Sequence, residues 1–506
     1  MNDLHFTKPI AIKLLLVFFT AINPKSFLTT SQICSSNTAR QTANDRIGGF
    51  LMKWQTTNRR LPIAHPVSSF STFSTISSAV EAVLLNCQSQ KTGCINNFIS
   101  SYPCDYSEIY LNGIWERCLD MDRAFTRETD PDLPQSSFVW QPTNVPQNYG
   151  LEPDLRYYFG PIWYRRTIPI PVNASWVDLR FEAVDYLSDV WINDTYLGRH
   201  EGYFAPFLFS NISSYKSKNG HADIIVRVQD PLEDLKGQDI FYLSHRKRWI
   251  KGTMNYHDSR PGGLPGLAKS EWDFPIGQSM PTGGIVGPVQ LVTTGPVRID
   301  GIYLTPLDIK GSVHLAIFFL NRTSNPITIT LCLELKLLPE VNNRSYTAQP
   351  VEAWTMEVSL LPGANRIDLE SMIPEPKLWY DFSLSEIGAP NLYQMEVVAL
   401  ADKRISAKAS TIFGLRTASV CKKEGDGSPY EKWSFLLNER EVYIRSANYI
   451  PVQHWANLAP DFYERDFRLL QAINLHAVGL HAHIQSPACY TAADRLGISI
   501  FQDFPL

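Results

Sequence analysis

Past its first two dozen residues the chain has no apolar run long enough to cross a bilayer, and it has no excess of basic charge. Lys and Arg number 46 against 50 Asp and Glu, a net charge of -4 with a pI near 6.3. That balance excludes a polyanion-binding surface, so nucleic acid is not an expected partner. The one concentrated basic run, His245-Arg246-Lys247-Arg248, is followed at once by Trp249-Ile250 and reads as a solvated edge or loop. Metal-ligand spacing is also missing. Of 8 cysteines, Cys87, Cys94, Cys104 and Cys118 cluster with no histidine among them and match no common zinc pattern. Structural disulfides and free buried thiols are the two readings left open. No metal and no cofactor is expected. What is abundant is apolar surface: 44% hydrophobic and 12% aromatic residues argue for packed globular structure. A chain of 506 residues has room for three or four ordinary domains.

The N-terminus carries a short apolar core behind a lysine, Lys8-Pro9-Ile10-Ala11-Ile12-Lys13 through Leu14 to Ile22. A membrane span needs ~20 apolar residues, so the segment suits a secretory signal better. Asp3 in the leading region and the lack of a small-x-small cleavage site leave an uncleaved N-terminal anchor, or a misplaced start, as alternatives. Residues 1–30 are therefore expected to be signal-like and the protein secreted or extracytoplasmic, with no other membrane contact. Asn-x-Ser/Thr sequons beginning at Asn173, Asn193, Asn211, Asn321 and Asn343 are compatible with export. Residues 31–105 are rich in Ser, Thr and Asn, with one helical candidate from Ile76 to Leu85.

From Tyr106 short strands with turn punctuation take over. Trp176 to Val184 alternates apolar and charged residues, the period of a half-buried strand. Val190 to Leu197 predicts a hairpin turning at Asn193-Asp194, and Ile224 to Gln229 another strand. Evenly spaced strands with few helices indicate a β-sandwich over 106–298. Trp163, Tyr164 and Trp191 are expected in its core, and the glycines at 283, 284 and 287 in tight turns. A second, immunoglobulin-like sandwich is expected over 299–416, from strands at Ile302–Leu304, Val313–Phe318, Ile327–Leu331 and Tyr393–Val398. The period then changes. Val442–Ile444 reads as a strand, followed by a helix opening at Asp461 with Glu464 in a capping-box position. Tyr463, Phe467, Leu470 and Ile473 recur on one helical face and should pack inward. Strand Ala477–Leu480, helix Pro487–Leu496 and strand Ile498–Phe501 complete three parallel units. That is how a (β/α)8 barrel begins, yet residues 433–506 are far fewer than the ~250 of a whole one. The expected fold is multidomain and mainly β: a jelly-roll sandwich, an immunoglobulin-like sandwich, then the first three β/α units of an incomplete TIM barrel.

This order and its local motifs resemble glycoside hydrolase family 2, from Tyr106 to Leu506. In the first sandwich the matching pieces are Leu111-Asn112-Gly113-Ile114-Trp115, Trp163-Tyr164-Arg165-Arg166, Val184-Asp185-Tyr186, Val190-Trp191-Ile192-Asn193, Gly198 to Phe207 and Thr282 to Pro288. In the second they are Lys377-Leu378-Trp379, Pro390-Asn391-Leu392-Tyr393 and Phe413-Gly414-Leu415-Arg416. The barrel opening matches through Arg445 to Pro451 and Gln502-Asp503-Phe504-Pro505.

The resemblance implies hydrolysis of terminal β-linked sugars by a retaining exo-glycosidase, leaning toward the β-mannosidase or exo-glucosaminidase branch. Substrate sites in this barrel gather at the C-terminal strand ends. Motif by motif that puts Asn448, Trp455, His481, His483 and Asp503 at the sugar, with His200 and Glu201 on a loop that reaches the barrel mouth in some relatives. Asn and His can hydrogen-bond hydroxyls, and Trp455 can stack on a pyranose face. Relatives usually carry arginine where this chain has Gly479, glycine at Ser446 and aspartate at Gln453, so a relaxed site is implied. The family's catalytic pair is two glutamates on later barrel strands. No residue here matches them, so no catalytic residue is assigned and the chain alone is expected to be inactive. Glu464, Asp466 and Asp494 read as helix caps or surface charge. Unpaired barrel edges would drive aggregation, oligomer formation or recruitment of a missing half. The competing reading is a non-catalytic carbohydrate-binding or protein-interaction protein.

Overall fold

Alternation over Trp176–Phe181 is realised as a strand whose Val177, Leu179 and Phe181 are fully buried. The computed structural model describes residues 94–120, 139–155, 161–171, 174–202, 205–215, 219–229, 283–339, 347–423, 432–449, 460–480 and 484–503, with strand segments at 18–19, 33–34, 80–81 and 83–90. Two sheets enclose the first core. One has six strands in the order 195–201, 187–192, 221–229, 162–169, 113–119, 141–145; the other has four, 207–209, 176–181, 289–294, 107–110. Between them lie Ile162, Tyr164, Val190, Ile192, Ile224, Val226, Val289 and Leu291. Each fully buried aliphatic contributes roughly 1.5–3 kcal/mol. The hairpin turns where expected: Ile192 faces Thr195, and Asn193 takes the left-handed φ of 51° that such a turn requires.

Tyr164 joins that core, but Trp163 and Trp191 do not. They pack on the opposite face of the six-stranded sheet, 5.4 Å apart, beside Cys118. Adjacent residues of one strand point to opposite faces, so Trp163 and Tyr164 could never share a core. Gly284 has a φ of 109°, and a Cβ on Gly283 would sit 2.3 Å from the Tyr149 ring. Close approach therefore explains glycine there as well as turning does.

Val297–Pro306, Ser312–Asn321 and Gly363–Met372 form one face of a second two-sheet unit. Arg404–Phe413, Tyr393–Ala401, Ile327–Leu337 and Gln349–Leu360 form the other. Val83–Gln90 extends that second sheet by pairing antiparallel with Gln349–Leu360. Of the helix expected at Ile76–Leu85, the described residues 80–81 and 83–85 are instead strand, because sheet edges with free backbone groups capture them. A helix forms instead at Cys94–Ser101, and its Ile95 packs on Ala353, Val398 and Ile405. Cys332 is disulfide-bonded, whereas Cys104, Cys118, Cys421 and Cys489 are free.

Asp178 lies opposite the apolar residues of its strand, where solvent was the expectation, yet it is 1% exposed. Arg322 grips both its oxygens, Arg298 donates at 2.8 Å and the Asn211 amide at 3.0 Å. Both arginines belong to the second two-sheet unit, so this buried carboxylate ties the two together. Burial pushes its pKa up, but the arginines outweigh that and hold it below the usual carboxylate range.

The C-terminal part is a four-stranded sheet: Ser446–Tyr449, Ala477–Leu480 and Ser499–Gln502 run parallel, with helices Pro460–Ala472 and Pro487–Leu496 on one side, and Phe18–Phe19 pairs antiparallel along the outer edge of Ser499–Gln502, so the edge expected to be unpaired there is covered. Its first parallel strand is not Val442–Ile444: Arg440–Val442 closes a separate antiparallel hairpin with Lys432–Leu437. Tyr463 and Phe467 are fully buried as expected, but Ile473 is 68% exposed. The helix ends at Ala472 and Asn474 reverses the chain at φ 65°, which breaks the helical face before Ile473. Glu464 pairs with Arg468 one turn on, at 2.8 Å, and Asp461 lies inside the first turn. Among the described residues no helix is long and apolar enough to cross a membrane.

Removing Arg322 would leave a buried carboxylate with part of its counter-charge gone. Arg322→Ala is expected to cost roughly 3 kcal/mol of stability, and Asp178→Asn placed in that background should recover part of the loss. Urea midpoints of the two single variants and the double variant measure this; additive losses would show that the pair does not couple.

Candidate functional site

The C-terminal strands sort their side chains by alternation. Tyr449, Val478, Leu480 and Ile500 pack against Tyr463, Phe467, Tyr490 and Leu496 of the helices. Asn448, Gly479 and Phe501 sit between those positions and therefore face the other way. They are also direct cross-strand partners, Asn448 with Gly479 and Gly479 with Phe501, so they form one row. Asp503 extends past the third strand, with its amide bonded to the Leu480 carbonyl at 3.1 Å. Asn448 and Asp503 are both exposed. The result is a polar tip, with the Asn448 amide on the first strand and the Asp503 carboxylate two residues beyond Phe501 on the third, at the C-terminal end of the parallel strands.

Gly479 carries consequences for Asn448. A Cβ there would sit 3.2 Å from Asn448 Oδ1, so any larger residue crowds the amide. The arginine that the resemblance led one to expect at this position would displace Asn448 from its present pose.

A hydroxyl network behind the tip was not visible in the sequence. Tyr490 donates to Gln502 Oε1 at 2.6 Å and accepts from the Gln485 amide at 3.2 Å. Tyr463 donates to Gln485 Oε1, and Ser486 donates to Tyr463. On the first strand Tyr449 donates to Asp466 at 3.0 Å. Burial and the Asp466 charge push the Tyr449 phenol well above its ordinary pKa, so it stays protonated and donates. Burial does the same to Tyr463 and Tyr490.

At the opposite end of the strands a buried polar seam joins this sheet to the second two-sheet unit. Asp381, 2% exposed, accepts from His476 Nδ1 at 3.0 Å, from Ser499 Oγ at 3.2 Å and from the Ser383 amide at 3.0 Å. His476 Nε2 lies 3.1 Å from both the Arg445 amide nitrogen and the Tyr443 carbonyl oxygen, which hold the ring with Nδ1 facing Asp381. Burial pushes the Asp381 pKa up, but the His476 and Ser383 hydrogen bonds outweigh it and hold the carboxyl below its usual range. Nearby, Trp379 Nε1 donates to the Asp494 carbonyl at 2.8 Å, and Arg416 lies over the Trp379 ring. Asp494 is therefore not surface charge; it is buried, and burial pushes its pKa well up against the pull of Arg416.

The other sequence candidates are placed as follows. Trp455, His481 and His483 lie outside the described residues. His200 and Glu201 end the strand Thr195–Glu201 of the first unit and share no strand pairing with the C-terminal sheet. The His200 ring stacks on Phe207 at 4.1 Å, and burial lowers its pKa to about 4, partly offset by a backbone bond at Gly202. It is neutral at physiological pH. Glu201 is exposed. Among the described residues no group of three or more His, Cys, Asp or Glu side chains could hold a metal ion.

Stacked β-sheets feeding into a parallel sheet with a polar C-terminal tip define a multidomain, mainly β class in which few helices occur. Residues 297–416 match the model of glycosyl hydrolases family 2. The chain is 25% identical over 413 residues to beta-mannosidase B of Thermothelomyces thermophilus, spanning 76% of this chain and 44% of that one. It is 23% identical over 425 residues to beta-glucuronidase of Rattus norvegicus, spanning 80% and 55%. In structure it resembles beta-D-mannosidase from Dictyoglomus thermophilum, with a TM-score of 0.60 at 18% identity over 79% of this chain and 47% of that one. Beta-glucuronidase from Bacteroides uniformis gives a TM-score of 0.55 at 18% identity, over 79% and 42%. The chain spans about half the length of the curated relatives it matches. The match over residues 297–416 and these relatives support membership of glycosyl hydrolases family 2.

Asp381 supplies a test of the seam. Its folded pKa is depressed, so its stabilisation is fully present above the unfolded value of ~3.9 and is lost as pH falls through the folded one. Asp381→Ala is expected to cost roughly 3–5 kcal/mol at neutral pH. Its urea midpoint should also fall less steeply than wild type between pH 4 and the acid limit; equal slopes would remove Asp381 as the titrating group.

Proposed function

We propose that this chain is the sugar-binding and barrel-opening part of a retaining exo-glycosidase that acts on terminal β-linked sugars. In this reading residues 106–298 are a jelly-roll sandwich, 299–416 an immunoglobulin-like sandwich and 433–506 the first three units of a TIM barrel. The observation that carries it is the row Asn448–Gly479–Phe501 with Asp503 beside it, at the C-terminal strand ends. Barrel enzymes collect substrate at that rim. Asn448 would donate to and accept from vicinal hydroxyls, and Asp503 would accept from one. Trp455, His481 and His483 would complete the pocket, while His200 and Glu201 belong to the first sandwich and contribute less directly. Support for a mannoside over other β-glycosides comes from the Asn448-Tyr449-Ile450-Pro451 and Gln502-Asp503-Phe504-Pro505 motifs, while the names of the relatives include beta-mannosidase and beta-glucuronidase alike.

Double displacement requires two carboxyl groups ~5.5 Å apart. The three described parallel strands contain no glutamate, and their tips offer Asp503 alone. The chain would then bind a β-linked sugar without cleaving it. A secreted or extracytoplasmic location is part of the same proposal; the disulfide at Cys332 supports it, because such bonds persist in oxidising compartments.

Calorimetric titration with a β-linked mannobiose, run beside a nitrophenyl β-glycoside assay, tests these statements together. Binding without turnover is expected. Asn448→Ala should weaken binding roughly fivefold, the value of a hydrogen bond worth about 1 kcal/mol, and Asp503→Asn by more. Clear hydrolysis would overturn the single-carboxylate argument. Binding untouched by both variants would move the sugar site elsewhere and favour a carbohydrate-binding protein that uses its sandwiches.

A further inference from the structure

The sequons can be ranked by what their asparagine amides are already doing. Asn321 is 2% exposed, and both its amide hydrogens are committed: Nδ2 donates to the Asn325 carbonyl at 2.9 Å and the Leu360 carbonyl at 3.2 Å. Its Oδ1 accepts from the amide and hydroxyl of Thr323, the third residue of the same sequon. Asn193 is half-buried and staples its hairpin turn to two neighbours. Nδ2 donates to the Tyr215 carbonyl at 2.8 Å, and Oδ1 accepts from the Asp223 amide at 3.0 Å.

Asn211 differs. It lies between the strand Phe207–Phe209 and the short turn Ile212–Tyr215, and it is exposed. Its backbone is anchored, with a φ of 57° and an amide bonded to the buried Asp178 at 3.0 Å. Its Oδ1 accepts from Ser213 Oγ at 2.7 Å, which turns the amide without consuming a hydrogen of Nδ2. No described residue accepts from that nitrogen. A substituent there extends into solvent from a rigid base.

We propose that Asn211 is a site of N-linked glycan attachment in this protein, and that Asn193 and Asn321 stay unmodified in folded molecules. The inference rests on the export reading above, since only a translocated chain meets the donor. The bond formed joins Asn211 Nδ2 to the anomeric carbon of a lipid-pyrophosphate-linked oligosaccharide. Nδ2 gives up one proton, and the lipid pyrophosphate leaves with the electron pair of the anomeric carbon–oxygen bond. At Asn321 the same reaction would replace a hydrogen that a buried carbonyl needs and would place a sugar where there is no space, so chains modified there would not fold.

The test expresses the full chain in cultured animal cells behind a heterologous secretion leader, which keeps acceptor competence separate from the chain's own N-terminus. Soluble product is deglycosylated by peptide N-glycosidase in ¹⁸O water and mapped by mass spectrometry. Labelled aspartate is expected at 211 and not at 193 or 321, and the label at 211 should vanish in both Ser213→Ala and Asn211→Asp. Asn173 and Asn343, outside the described residues, report whether the machinery engaged the chain. An unlabelled 211 overturns the proposal, as does label at 321 in soluble protein. In a second arm with the native N-terminus, loss of label at 211 overturns the export reading while leaving Asn211 as an acceptor.

Discussion

A carboxylate with no access to water holds this molecule's candidate site in place. Asp381 reaches out of the second two-sheet unit and binds His476 and Ser499, the residues immediately before and at the start of two parallel strands. A buried charge is costly unless every lone pair is used, and here four donors converge on it, from His476, from Ser499 and from the amide and hydroxyl of Ser383. Because two of these donors, His476 and Ser499, lie on the parallel sheet and the acceptor on its neighbour, the two cannot separate without stripping the charge of those partners. The row at the far ends of the same strands inherits its orientation from that seam.

The same device occurs a second time. Asp178 joins the first and second units through Arg298 and Arg322, with the Asn211 amide as a further donor. Successive joints along the chain therefore depend on buried aspartates, each held below its ordinary pKa by partners on the adjoining unit. Charged seams of this kind are directional, so they set geometry where apolar contact alone would allow sliding. A site assembled from residues of several units needs that precision more than it needs extra stability.

Much of the secondary structure was legible in advance because its cause is local. Period-two alternation found the strand at Trp176, strand-like runs found those at Ile224, Ile327 and Tyr393, and the helix expected over Pro487–Leu496 forms with those bounds. The failures share one cause. Val83–Gln90 became strand because a sheet edge elsewhere lacked a partner, Ile473 was exposed because the helix stopped one residue earlier, and Asp494 was buried because Trp379 and Arg416 cover it. None of these reasons can be read from neighbours in the chain. Of the candidate site, Asn448 and Asp503 were found from strand-end position and motif, whereas the Tyr463–Gln485–Tyr490–Gln502 network was invisible because its members come from different elements.

By itself the sequence determined a mainly β, multidomain chain, the turn at Asn193, the strands and helices of the parallel sheet, and the family that its motifs resemble. These follow from side-chain alternation, turn chemistry and short motifs, all of which act over a few residues. Only the tertiary structure decided which face of each strand is wet, which aspartates are buried and which asparagine amides are spent. Those outcomes depend on what an adjoining sheet or helix covers, and the solvation of a polar group is a property of its surroundings.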